Sequence, residues 1–74
     1  MVNILIFNEM GQQVAVGVTE EQINAPALHV ANLEPANAIL NGVDYQVRAD
    51  HDPDQFIVRT CIAVDHDAAT ATFR

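Results

Sequence analysis

Apolar and polar positions alternate most regularly in the last third of the chain. Residues 43 to 50 (VDYQVRAD) alternate strictly, 56 to 64 (FIVRTCIAV) nearly so, and 68 to 73 (AATATF) again, the period of two expected of half-buried strands. Closing the first connection with His51, Asp52, Pro53 and Asp54 sets Val47 opposite Val58, Ala49 opposite Phe56, Tyr45 opposite Thr60 and Val43 opposite Ile62. A four-residue second loop, Asp65 to Ala68, sets Val64 against Ala69, Ile62 against Ala71 and Thr60 against Phe73. The apolar sides coincide throughout, so the pattern predicts a three-stranded antiparallel meander over residues 43 to 74.

The first third holds a second strand pair. Residues 2 to 7 (VNILIF) and 14 to 18 (VAVGV) have strand composition and flank the turn-forming residues Asn8 to Gln12. A tip at Met10 and Gly11 places Phe7 opposite Val14, Leu5 opposite Val16, Ile6 opposite Ala15 and Ile4 opposite Gly17. Strand one is then apolar on both faces, which predicts a central or covered position.

The middle is less regular. Thr19 with Gln22 three residues on is a capping-box spacing that predicts one helical turn from Glu20, ended by Pro26. Residues 27 to 31 (ALHVA) predict a short third strand with Leu28 and Val30 on one side. In NLEPANAILNGV, Asn32 as N-cap, Pro35 in the first turn and Gly42 beyond the end predict a short helix at about 33–41. Asn41-Gly42 between apolar residues reads alternatively as a hairpin turn. The expected fold is mainly β: five to six short, mostly antiparallel strands in a small barrel or curled sheet, with that one short helix. An α+β arrangement is the alternative.

Seventy-four residues fit one domain, 1–74. A core of that size supplies only about 3 to 5 kcal/mol, so a second subunit, a metal or disulfides usually assist. Cys61 is the only cysteine, which excludes an internal disulfide and favours a reducing compartment. The opening MVNILIFNEM has no basic segment and too short an apolar run for a signal peptide or membrane span, and a cytoplasmic location is expected. Ten carboxylates against three arginines and no lysine give a net charge of −7. Such a surface repels phosphate and anionic lipid, so neither direct nucleic-acid nor membrane binding is expected.

The predicted register of the meander places Arg48, Arg59 and Arg74 on its solvent side, with Arg59 opposite Arg74 and with Asp44, Ile57 and Cys61 beside them. Asp44 and Asp50 make an ordinary exposed ion-pair lattice there. Alternatively, the arginines receive a carboxylate from another molecule. The clusters Asp50-His51-Asp52-Pro53-Asp54 and Asp65-His66-Asp67 carry metal-ligand residue types, but Gln55 and Cys61 stand where a calcium loop needs glycine and glutamate. The strand between the two clusters separates them by about 30 Å. No nucleophile, phosphate loop or zinc spacing is present, so neither an enzyme nor a cofactor is expected.

The leading expectation is a small acidic non-enzymatic protein-interaction module, a homo-oligomer such as a homodimer, completed across the arginine face or the edge of the N-terminal hairpin. The alternatives are an acidic inhibitor that mimics nucleic acid toward a basic partner protein, and a divalent-ion or small-ligand binder that uses the His/Asp loops.

Overall fold

Six strands form: β1 (Val2–Phe7), β2 (Gln13–Thr19), β3 (Leu28–Glu34), β4 (Asp44–Ala49), β5 (Ile57–Asp65) and β6 (Thr70–Phe73). The structure is a computed structural model that describes Met1 to Arg74. Two consecutive meanders, β1-β2-β3 and β4-β5-β6, join through β3 against β6 and β1 against β4, every neighbouring pair antiparallel, and so close a six-stranded barrel. Closure leaves β1 paired on both sides. The hairpin edge expected to receive a partner is therefore occupied by β4. No helix is long and apolar enough to cross a membrane.

The first hairpin has the register that its residues dictate. Ile6 pairs with Ala15, Leu5 with Val16 and Ile4 with Gly17, and only Phe7 departs, slipping across a bulge to Gln13. Large Ile4 and Ile6 point inward beside small Ala15 and Gly17. Without a side chain at Gly17, β2 lies close to β3: a Cβ there would meet Val30 Cγ1 at 2.6 Å and Ala31 O at 3.1 Å.

Strand β3 begins as expected, with Leu28 and Val30 inside, but continues to Glu34. Asn32 is not a helix cap. It takes a left-handed φ of 54° within the strand, where the pairing with β2 shifts register. Extended backbone at Pro35 follows, and the helical element contracts to a single 3-10 turn, Ala36–Ala38. Tertiary packing explains the contraction, because Ile39 is drawn fully into the core straight after that turn. The Tyr45 hydroxyl then accepts from Leu40 N–H at 2.9 Å and donates to Ala38 O at 3.3 Å. Gly42 ends the segment at φ 83°, a conformation glycine adopts without strain.

No helical turn forms after Thr19. Its Oγ accepts the Glu21 N–H at 3.2 Å instead, and residues 20 to 27 cross one mouth of the barrel as an irregular strap. Glu21 secures the strap to β3, its Oε1 accepting the His29 backbone N–H at 2.6 Å and meeting His29 Nδ1 at 3.0 Å.

The second meander forms, in a different register. Tyr45 pairs with Arg59 and Val47 with Ile57, one position from the expected alignment, so the opposite side of β5 faces the core. Arg59 and Cys61 are buried, Ile57 is half-buried, and Phe56, Val58 and Ile62 face solvent. Volume decides this. Tyr45, Phe73, Leu28, Ile39, Ile4 and Ile6 already fill the narrow bore, and slim Cys61 fits beside Phe73, its partner on β6. A bulge between Cys61 and Ala63 then leaves both Ile62 and Ala63 outside, and Val64 pairs with Ala71 rather than Ala69.

Candidate functional site

The barrel sorts charge by position. All ten carboxylates lie in the connections or at the terminal residue of a strand, five around each mouth. Glu20, Glu21, Asp50, Asp52 and Asp54 ring the strap end, and Glu9, Glu34, Asp44, Asp65 and Asp67 ring the other. Only Arg48 and Arg59 carry formal charge at interior strand positions, and Arg59 points inward. The result is two acidic rims around a nearly uncharged waist.

On the side formed by β2, β1, β4 and β5, that waist is mainly apolar, with Gln46 and Arg48 as its polar members. Strand pairing aligns Val16, Leu5 and Arg48 in one row and Phe7, Gln46 and Val58 in the next, with Phe56 beside Arg48. Phe56 is 48% exposed and Val58 57%, while Leu5 and Phe7 are half-buried. Arg48 lies flat on this surface, its guanidinium carbon 4.5 Å from the centre of the Phe7 ring and 5.0 Å from that of Phe56. Nη1 donates to Pro53 O at 2.8 Å and Nη2 to Gln46 Oε1 at 3.1 Å, whereas the buried Nε has no partner. Arg48 thus covers strand β1 with its stem and is itself held between two rings.

The expected arginine face does not form. Arg48 and Asp44 lie outside on β4, with Asp44 Oδ1 accepting the Thr60 hydroxyl at 2.5 Å rather than pairing with an arginine. Arg59, Cys61 and half-buried Ile57 belong to the inward side of β5, and Arg74 lies exposed at the chain end, its N–H bonded to Thr60 O rather than set opposite Arg59. No arginine pairs with a carboxylate, and the single ion-pair contact is His29 with Glu21.

Arg59 has a structural use. At 5% exposure its Nη2 donates to Ile23 O at 2.7 Å and to Ala25 O, which ties the strap across the mouth, while Nε stays unpartnered. Burial without a counter-ion pulls its pKa below the ordinary arginine value. Burial likewise pushes the Cys61 thiol above its ordinary value, which opposes reactivity.

The His/Asp clusters occupy opposite mouths, and no three His, Cys, Asp or Glu side chains converge to hold a metal ion. Asp65 Oδ1 accepts the Asp67 and Ala68 N–H groups at 3.0 Å, the work of a turn former. His66 Nε2 meets Ile39 O at 2.7 Å. The largest hollow, about 470 Å³ between the 8–10 and 42–44 segments, is open and carries only the carboxylates Glu9 and Asp44 as charges.

Sequence reasoning missed Phe56 and Val58 as surface residues because it assigned them to the core. The second apolar side of strand one was the available signal, since Leu5 and Phe7 form the floor of this face. No protein-family model matches the chain, and no curated protein or solved structure matches it either.

Proposed function

We propose that this chain is a small non-enzymatic protein-interaction module that engages a protein partner through the β2-β1-β4-β5 side of its waist. The observation that carries the reading is the exposure of Phe56, Val58 and Val16 on one sheet face whose only carboxylate, Asp44, sits at its rim, in a chain with net charge −7. Phe56 and Val58 are about half exposed side by side with half-buried Phe7 and Leu5, an apolar grouping of the kind that interaction surfaces present. Acidic rims on either side repel nucleic acid and anionic lipid, which favours a protein partner. The test is a photo-crosslinking residue at Val58 and, as control, at Asn37 in the 3-10 turn. Discrete protein adducts from position 58 and none from 37 support the reading, and adducts from neither position overturn it.

One observation favours a second reading. None of the ten rim carboxylates pairs with an arginine and only Glu21, Asp44 and Asp65 accept hydrogen bonds, which leaves the other seven available to a basic, nucleic-acid-handling protein. Binding that collapses as salt rises supports it, and no binding to any such protein at low salt excludes it.

A further inference from the structure

The geometry points to a second copy of this chain as the occupant of the waist, through a twofold contact of the β2-β1-β4-β5 face with itself. This inference rests on the interaction reading above and adds the partner. Charge selects the copy. A basic partner is drawn to the ten rim carboxylates, not to a face whose one cation, Arg48, is enclosed between Phe7 and Phe56. An acidic partner gains little there, because Arg48 Nη1 and Nη2 already donate to Pro53 O and Gln46 Oε1. Two copies carrying −7 each repel in orientations that bring rim toward rim. Waist against waist removes the apolar face from water while the acidic mouths stay at the periphery.

Size agrees with that choice. A standard interface takes about 800 Å² from each partner, roughly a fifth of this chain's 4348 Å² surface. The whole 29 × 27 Å side of the barrel, the flanks of the rims included, is of that order. An isologous contact needs each surface to complement itself. Val58 and Phe56 are the most exposed apolar residues of this side, and a twofold axis running along β5 lays the β5 ridge of each copy against that of the other while keeping the two Arg48 guanidinium groups apart. The small core supplies the reason for assembly, because only 13 apolar residues are buried within one chain.

Light-scattering mass across a dilution series tests the inference. The expected result is twice 8.1 kDa at about 100 µM, falling toward 8.1 kDa on dilution. Val58→Glu, at a solvent-exposed position that leaves the core intact, is expected to weaken the dimer at least about 100-fold, while Asn37→Glu, which adds the same charge in the 3-10 turn, leaves it unchanged. Circular dichroism of both variants verifies the fold. Wild-type mass of 8.1 kDa at every concentration, or a dimer indifferent to Val58→Glu, overturns the inference. A monomer that still gives discrete adducts from position 58 overturns self-association alone, and a monomer with no adducts removes the interaction reading as well.

Discussion

Replacing Gly17 with alanine probes the closest approach in the barrel. On backbone grounds the change should help, since glycine within a strand costs about 0.5 to 1 kcal/mol of conformational entropy relative to alanine. The surroundings oppose it. The new methyl would sit 2.6 Å from Val30 Cγ1, 3.1 Å from Ala31 O and 3.4 Å from Leu33 Cδ2. Carbon atoms prefer about 3.5 to 4.0 Å, so roughly an ångström must come from a 2%-exposed valine or from backbone. Pushing Val30 off its rotamer costs about 0.5 to 1.5 kcal/mol, and overpacking a dense core as a whole about 1 to 3 kcal/mol. The net expectation is a loss of about 1 to 2 kcal/mol, or a fall in Tm of about 4 to 16 °C for a domain of this size. Urea unfolding should show a lower midpoint at an unchanged m-value. Val30→Ala alone costs about 2 kcal/mol through its cavity, and the double variant should be more stable than the sum by at least about 1 kcal/mol, because each change relieves the other. Equal or greater stability of Gly17→Ala, or strict additivity, refutes the packing of β2 on β3.

Other expectations concern the strap and the polar contacts. Arg59→Met keeps the apolar stem but loses the bonds to Ile23 O and Ala25 O, so amide exchange across residues 21 to 27 should rise at least about tenfold relative to β1, and unchanged exchange contradicts the anchoring role. Tyr45→Phe strips the partners of Leu40 N–H and Ala38 O and should cost about 1 to 3 kcal/mol in urea unfolding, with a neutral result counting against the hydroxyl bridge. Glu21 has its pKa lowered from 4.5, chiefly by the His29 backbone N–H. Its contribution to stability is therefore complete above the unfolded value and disappears as pH falls through the folded one. Glu21→Gln should flatten the loss of stability below about pH 4.5, and an acid limb identical to wild type rules this out.

How much of this was legible in the sequence follows from how many registers each segment's pattern allowed. Strands β1 and β2 offered one arrangement in which Ile4 and Ile6 meet small residues, and the barrel adopts it up to the bulge at Phe7. Strand β5 offered two. One side reads Phe56, Val58, Thr60, Ile62 and the other Ile57, Arg59, Cys61, Ala63, and the arginine argued for the first. What reverses the choice is non-local: the bore is filled by Tyr45, Phe73 and Ile39 from other elements, and carbonyls of a strap more than 30 residues away receive the guanidinium. Asn32 and Pro35 misled for a similar reason, because the same residues that cap and open helices also serve a strand bulge and an extended strand end. The acidic composition was plain, but its division into two rims depends on barrel closure. The waist was visible only indirectly, as a first strand apolar on both sides.

All of the functional reading depends on β5 turning Arg59 and Cys61 inward, which leaves Phe56 and Val58 on the surface. Cys61, the only thiol, reports this directly through its rate of modification by a small water-soluble disulfide reagent at pH 8. With Cys61 fully buried and its thiol pKa raised by burial, modification of the native protein should wait for unfolding and run at least about 1,000-fold slower than in denaturant. A native rate within about tenfold of the denatured one would place Cys61 on the outside of β5 and contradict the account.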